Sequence, residues 1–334
     1  MRLLLRKFFG AKAWRPRSIT LITPGQDMTS GGIFAIHQMA VELGRTIDVN
    51  LVVLGYAPTP VERIKTFRSE FLNPHEIPDA DAIVLYSDAT LGDQFASLPA
   101  SKGRKFIYFQ GYGEIGNPVV IENLRRGFGV IASARWLVDE ARVQTNSVSF
   151  VPYGLDKSIF NPNGRTQPTR AIAMMTHFLQ WKGIEDGLGA MRRVRAALSD
   201  VRFIFFGIAN PGFDGAEFLE RPSRQGVADI MRKSDVFVCP SWEEGFGMPG
   251  LEAMACGAAL ATTDTKGCRD YALHGRTALV SPPKHPDALA RNIITLLTDD
   301  ALRDRIAATG QQTAFTYPTW PQAAHLFLQA IMSS

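Results

Sequence analysis

The sequence predicts an α/β protein made of two doubly wound, parallel-sheet domains, and three observations carry that prediction. At 334 residues the chain exceeds what one hydrophobic core usually organises. Short apolar runs alternate with helix-patterned segments, the pattern of βαβ units on a parallel sheet. The alternation stops at a stretch rich in Pro, Gly, Asn and Thr and then restarts, so that stretch reads as a linker.

The first strand candidate is SITLITP (18–24), followed by a Gly-rich turn and the amphipathic segment IFAIHQMAVELG. Further strand candidates are VNLVVLG, DAIVLYS, KFIYFQ, GVIASA and SVSFVPYG, which together define a first domain over 18–155. The linker is placed at 156–168. RAIAMMTH (170–177) restarts the rhythm, and GLGAMRRVRAAL, VRFIFFG, GVADIMRKS, VFVCPS, LEAMACG and AALATTD continue it as alternating helices and strands. With two more helices between Asp287 and Gly310, the second domain covers 169–314. Residues 315–334 read as an apolar helix broken by two prolines and returning to the first domain. Two such domains facing each other form a cleft, and open parallel sheets bind ligands outside the carboxyl ends of their strands.

Composition narrows the function. Hydrophobic residues make up 46% and charged residues 20% of the chain, the balance of an ordinary globular protein. The net charge of +4 suits an anionic substrate or a lipid surface. It is too small to indicate nucleic acid, for which no recognition motif is present either. Cys239, Cys256 and Cys268 show neither a C-x-x-C pair nor zinc-ligand spacing, so free buried thiols in a reducing compartment are expected, and no metal. No apolar run approaches the roughly 18 residues that span a bilayer, which points to the cytoplasm. Residues 1–17 interleave Leu3, Leu4, Leu5, Phe8 and Phe9 with Arg2, Arg6, Lys7, Lys12, Arg15 and Arg17. Such a tail suits either an anionic membrane at its inner face or solvent.

The chemistry concentrates in CPSWEEGFGMPGLEAMACGAALATTD (239–264), where a strand enters a glycine-rich loop and then a short helix. Pro249 fits the first helical turn and Gly257 the stop. The loop Gly245-Phe246-Gly247-Met248 thus delivers unpaired N–H groups and a helix dipole to any anion placed there. Glu244 and Glu252 bracket the loop, and a carboxylate accepts paired hydrogen bonds from vicinal hydroxyls. The arrangement suits a ligand with a sugar at each end and phosphate between. Acidic residues also simply complement helix starts, which is the ordinary alternative for Glu252.

The run Glu244-Gly-Phe-Gly-x-x-x-x-Glu252-Ala-Met-Ala-x-Gly257 resembles the Glu-x7-Glu signature of the retaining glycosyltransferases of family four (glycosyl transferases group 1), which have the GT-B fold. VPYGLDKSIFNP (151–162), Lys182-Gly183 and Ser30-Gly31-Gly32 are similar, in order and spacing, to three further stretches of that family. The resemblance implies a GT-B architecture of two Rossmann-like domains facing across a donor-binding cleft. It also implies a nucleotide-diphosphate sugar as donor, a saccharide or lipid-linked acceptor, and no metal cofactor. By the same carry-over Glu252 holds the ribose hydroxyls, Glu244 the donor sugar and Lys182 the pyrophosphate, while Gly245, Phe246, Gly247 and Met248 offer backbone contacts. Gly31 and Gly32 let the first domain approach the donor or acceptor.

Two departures stand out. His177 occupies the position at which relatives usually carry an arginine near the pyrophosphate, and it joins Glu244 and Lys182 in the expected catalytic set; Arg269 is a candidate to supply the missing charge. Gln110 stands where many relatives carry a histidine beside the donor sugar, followed by Tyr112 and Glu114, and an amide offers that sugar different hydrogen bonds. Asp88 and Tyr112 are further candidates at strand ends. The implied role is transfer of a hexose or deoxyhexose with retained configuration in bacterial surface-glycan synthesis. Alternatives are a nucleotide-sugar epimerase of related fold, a non-catalytic nucleotide-sugar binder, and a dehydrogenase suggested by Gly111, Gly113 and Gly116.

Overall fold

The computed structural model describes residues 14–25, 30–86, 91–111, 118–165 and 169–333. Its chain forms two compact units. The first comprises residues up to Ser133 with Val138–Val151 and Pro321–Ser334; the second comprises Ala134–Leu137 and Pro152–Trp320.

The first unit is a seven-stranded, all-parallel sheet: β1 (Ser18–Thr23), β2 (Asp48–Leu54), β3 (Lys65–Ser69), β4 (Ala82–Tyr86), β5 (Arg104–Phe109), β6 (Gly129–Ala132) and β7 (Val148–Phe150), in the order β3-β2-β1-β4-β5-β6-β7. Between these strands run α1 (Gly31–Leu43), α2 (Gly92–Ser97), α3 (Pro118–Arg125) and α4 (Arg135–Arg142). The central strands are buried on both faces, which is why they read as unbroken apolar runs such as Ile83–Leu85 and Phe106–Phe109.

The second unit repeats the plan with six parallel strands: β8 (Ala171–Thr176), β9 (Arg202–Gly207), β10 (Glu217–Glu220), β11 (Val236–Cys239), β12 (Ala259–Thr263) and β13 (Leu279–Ser281), in the order β10-β9-β8-β11-β12-β13. Its helices are α5 (Ile184–Ala197), α6 (Arg224–Lys233), α7 (Met248–Ala255), α8 (Pro286–Thr298) and α9 (Asp300–Thr316). One core joins Ile172, Phe205 and Val238 of the sheet to Leu188 and Met191 of α5 and Leu289 and Ile293 of α8.

Three points differ from the sequence reading. Residues 156–165, assigned by composition to a linker, belong to the second unit, where Phe160 is fully buried. The last helix, α10 (Trp320–Ser333), is not broken by its prolines. Pro318 precedes it and Pro321 sits in its first turn, where no N–H is needed. Its residues from Pro321 onward pack in the first unit, with Phe327 edge-on to Tyr108 at 5.1 Å between ring centroids. Strands β3, β10 and β13 were not anticipated. Residues 1–13 of the basic tail, and Asp88, Tyr112, Gly113, Glu114 and Gly116, lie outside the described residues.

Candidate active site

In each sheet the order of strands reverses once, between β1 and β4 and between β8 and β11. A doubly wound sheet binds ligands at that switch point, outside the carboxyl ends of the strands. The second unit has a small pocket there, lined by His177, Lys182, Cys239, Ser241 and Glu244 together with apolar residues of β8 and β11.

Lys182 arrives on a 3₁₀ turn, Gln180–Lys182, that Gly183 closes at φ 62°. A Cβ at Gly183 would lie 2.1 Å from the carbonyl oxygen of Pro240. Positive φ and that contact together demand glycine, so Lys-Gly works as one geometric unit: the glycine lets the turn press on the end of β11, and the lysine is thereby aimed at Glu244. A bond of 2.7 Å from the Trp242 N–H to the Trp181 carbonyl clamps the two loops.

Lys182 Nζ lies 2.8 and 2.9 Å from the two carboxylate oxygens of Glu244, and the Ser241 hydroxyl donates to Oε1 at 2.7 Å. Their side chains are only 19% and 14% exposed. Burial alone would lower the Lys182 ammonium, but the adjacent Glu244 carboxylate outweighs it and holds the ammonium above its ordinary range. Burial, reinforced by the charge of Glu244, pushes the Cys239 thiol up to about 11, which makes it a neutral wall of the cavity rather than a nucleophile.

His177 follows β8 directly and lines the same cavity. The Leu179 N–H donates to its Nδ1 at 3.0 Å. A backbone amide can only donate, so Nδ1 is the acceptor and the ring proton resides on Nε2. The imidazole is thus held as a neutral donor, where a guanidinium would bring a permanent charge.

The glycine-rich loop is pinned from behind by residues that the sequence reading did not single out. Gly247 caps α7 at φ 85°, with Pro249 in the first turn. The buried Tyr271 hydroxyl donates to the Gly247 carbonyl at 2.5 Å, and Trp136 Nε1 donates to the Gly245 carbonyl at 2.7 Å. Tyr271 is raised well above the ordinary range by burial, so it stays a donor. A Cβ on Gly267 would fall 2.6 Å from the Glu244 carbonyl, so that glycine permits the close approach of the next loop. Phe246 is buried among Tyr153, Tyr271 and Tyr317, and its side chain anchors the loop. Trp136 and Tyr271 lie 109 and 24 residues from the carbonyls they hold, and no sequence motif marks them.

Met248 opens α7, and Glu252 lies one turn inside it, buried, with Oε1 2.7 Å from Nη2 of Arg224. Arg269 is not part of the cavity lining. It is 60% exposed and gives two hydrogen bonds, of 2.8 and 2.7 Å, to Asp264.

The first unit gathers Gly31, Gly32 and Gln110 around its own switch point. The two glycines open α1, and a Cβ on Gly32 would lie 2.3 Å from Tyr86 Oη and 2.9 Å from Gln110 Oε1. The glycine-rich segment suggesting a dehydrogenase follows β5, whereas a dinucleotide loop follows the first strand of such a sheet. Among the described residues no group of three or more His, Cys, Asp or Glu is arranged to hold a metal, and no helix is long and apolar enough to cross a membrane.

Two doubly wound, all-parallel units, each with a single switch point, define the GT-B class of fold. Residues 156–313 match the model of the family described as glycosyl transferases group 1, and the second unit belongs to that family. Over 169 residues the chain is 27% identical to the N,N'-diacetylbacillosaminyl-diphospho-undecaprenol alpha-1,3-N-acetylgalactosaminyltransferase of Campylobacter jejuni, covering 48% of this chain and 44% of that protein. It is 31% identical over 150 residues to the phosphatidyl-myo-inositol mannosyltransferase of Mycobacterium tuberculosis, covering 41% and 40% of the two chains. The chain thus spans less than half the length of these two relatives. Two solved structures superpose on 95% of this chain and 100% of their own, each with a TM-score of 0.78: HepE of Anabaena in complex with UDP and glucose, at 14% identity, and sucrose-phosphate synthase of Thermosynechococcus elongatus, at 18%. At such identities they establish the GT-B fold and nothing finer.

Proposed function

We propose that the chain transfers a hexose or deoxyhexose from a nucleotide-diphosphate sugar to a saccharide or lipid-linked acceptor, with retained anomeric configuration, in bacterial surface-glycan synthesis. The observation that carries this reading is the enclosed Lys182–Glu244 pair beside the neutral His177 donor, with Glu252 one turn into the helix that follows. The names of the two relatives, one acting on a diphospho-undecaprenol-linked sugar and one on phosphatidyl-myo-inositol, support a lipid-linked acceptor. The UDP held by the Anabaena structure makes UDP the first probe.

In this reaction the bond from the sugar C1 to the diphosphate breaks, positive charge grows on C1 and negative charge on the leaving group. In this reading Lys182, His177 Nε2–H and the N–H groups opening α7 stabilise that negative charge, and preorganised donors of this kind usually give the largest catalytic contribution. No metal ion is invoked, because these groups meet the charge. Glu252 accepts the ribose hydroxyls and Glu244, aligned by Ser241 and Lys182, accepts a hydroxyl of the donor sugar. Because the two carboxylates serve opposite ends of the donor, neither acts as the nucleophile of a double displacement. The acceptor attacks from the face that the diphosphate leaves, and a diphosphate oxygen takes its proton. Gly31, Gly32 and Gln110 are assigned to sugar recognition in the first unit. We place the reaction in the cytoplasm, with the basic tail at the inner face of the membrane.

Thermal unfolding with UDP, GDP, dTDP and their common sugar conjugates tests this reading. A ligand at 100 times its dissociation constant adds about 2.7 kcal/mol of stability. A shift selective for one nucleotide, lost in Glu252→Ala and weakened in Lys182→Ala, is expected; no shift with any of them overturns the assignment. The anomeric proton coupling of the product then reads retention or inversion directly.

A further inference from the structure

Arg224 is the first residue of α6, and the chain fixes it there with care. Ser223 caps the helix by accepting the Gly226 N–H at 3.1 Å. The guanidinium lies 4.8 Å from the ring centre of Phe160, itself fully buried. An arginine over an aromatic face loses much of its freedom before it meets a partner. That partner is Glu252, 28 residues away in the chain, held by one bond of 2.7 Å from Nη2 to Oε1. The glutamate side chain is 9% exposed and the arginine 34%.

The form of this contact matters. An arginine can fork both oxygens of a carboxylate and so fill them. Here the bond goes to Oε1, and among the described residues Oε2 accepts none. A carboxylate offers about four lone-pair sites, so one oxygen is engaged by the arginine and the other keeps its capacity for the two adjacent hydroxyls of a ribose. A carboxylate as enclosed as this one is costly to leave without a counter-charge. The stacked guanidinium supplies that charge from the side, without blocking the acceptor face.

We propose that Arg224 is a positioning residue for donor ribose: stacked on Phe160 and bound to Oε1 of Glu252, it holds the carboxylate aimed so that Oε2 accepts the ribose hydroxyls. This rests on the reading of Glu252 as the ribose site. It separates Arg224 from the groups that meet the diphosphate, since its effect passes through a hydroxyl-binding carboxylate and not through phosphate. Removing it therefore weakens ligands in proportion to the hydroxyls they present.

The test is calorimetric titration of the full chain with UDP and with 2′-deoxy-UDP, and with the corresponding guanosine pair if UDP does not bind. Wild-type protein, Arg224→Met, Arg224→Lys, Glu252→Gln and the Arg224→Met/Glu252→Gln double variant are compared, with unliganded thermal unfolding as the control for folding. For Arg224→Met the dissociation constant of the ribonucleotide rises about tenfold, while that of the 2′-deoxy analogue rises threefold or less, so the wild-type preference for ribose shrinks. Arg224→Lys restores part of that preference, because it keeps the charge but not the planar fork. In the Glu252→Gln background Arg224→Met adds little, the coupling expected of a residue acting through another. Once turnover is assayed, KM for the donor rises while kcat at saturating donor holds. Equal loss for the ribo and deoxy ligands, or additive effects in the double variant, overturns the proposal and leaves the ribose role of Glu252 standing. If wild-type protein binds no nucleoside diphosphate, the donor-site reading falls with it. If Arg224→Met does not fold, the Arg224→Lys comparison decides alone: an unchanged ribose preference refutes the proposal.

Discussion

The two units share one strand plan and use its switch point differently. In the second, β8 and β11 end in an enclosed ion pair with a serine and a neutral imidazole beside it. In the first, β4 and β5 end in Tyr86 and Gln110, two uncharged polar groups against the glycine that opens α1. The same architecture therefore presents charged groups at one switch point and a hydroxyl and an amide at the other. Site chemistry is decided by the few residues just after the strands, and the sheet only brings them together.

The largest effect comes from removing the charge of the second switch point. Lys182→Ala lowers turnover about 10²–10³-fold, as loss of a preorganised donor at a leaving group does, with a smaller change in donor KM; single-turnover kinetics separate the two. A drop of similar size in Gln110→Ala would break the contrast between the units.

Gly183→Ala is next. It forces a Cβ to 2.1 Å from a backbone oxygen at a residue with φ 62°. A loss of roughly 2–4 kcal/mol is expected in urea denaturation, with reduced activity in the protein that remains folded. The corresponding glycine of the first unit is more forgiving, because Gly32 meets the far end of Tyr86. Gly32→Ala costs about 1 kcal/mol, and Tyr86→Phe in the same chain recovers most of it.

His177→Ala lowers turnover about tenfold, the value of one neutral hydrogen bond in the transition state. Loss equal to that of Lys182→Ala would show that the imidazole carries charge after all.

The smallest effect is confined to high pH. Because Lys182 is raised in the folded protein, its stabilising contribution is fully present below the pKa of about 10.4 of a free lysine. It is lost as pH rises through the folded value. The difference in urea midpoint between wild type and Lys182→Met therefore stays flat below about pH 10 and closes above it. The thiols behave in parallel: with Cys239 pushed up to about 11 and Cys256 to about 12, the native protein resists a thiol reagent at pH 8, and the unfolded chain reacts at all three cysteines.

Much of this molecule was readable in one dimension. The central strands were found because a strand buried on both faces must be apolar throughout. The missed strands β3, β10 and β13 end the sheet or are only three residues long, and KTFRS and EFLE carry the charges that an edge tolerates. The helix start at Met248, the proline in its first turn and the glycine after Cys256 followed from local backbone chemistry.

The sequence by itself determined the α/β alternation, the glycine-rich turn into a helix, and the residue types of the candidate site, because each depends on neighbours within a few positions. Tertiary structure alone decided which of those residues meet. It paired Lys182 with Glu244 and Arg224 with Glu252, set Trp136 and Tyr271 behind the loop, fixed the tautomer of His177, and left Arg269 on Asp264. Most of these contacts join residues tens of positions apart, and burial makes the enclosed ones costly to leave unpaired. Which side chain satisfies a buried group depends on how the strands and loops come to rest, and no local pattern encodes that.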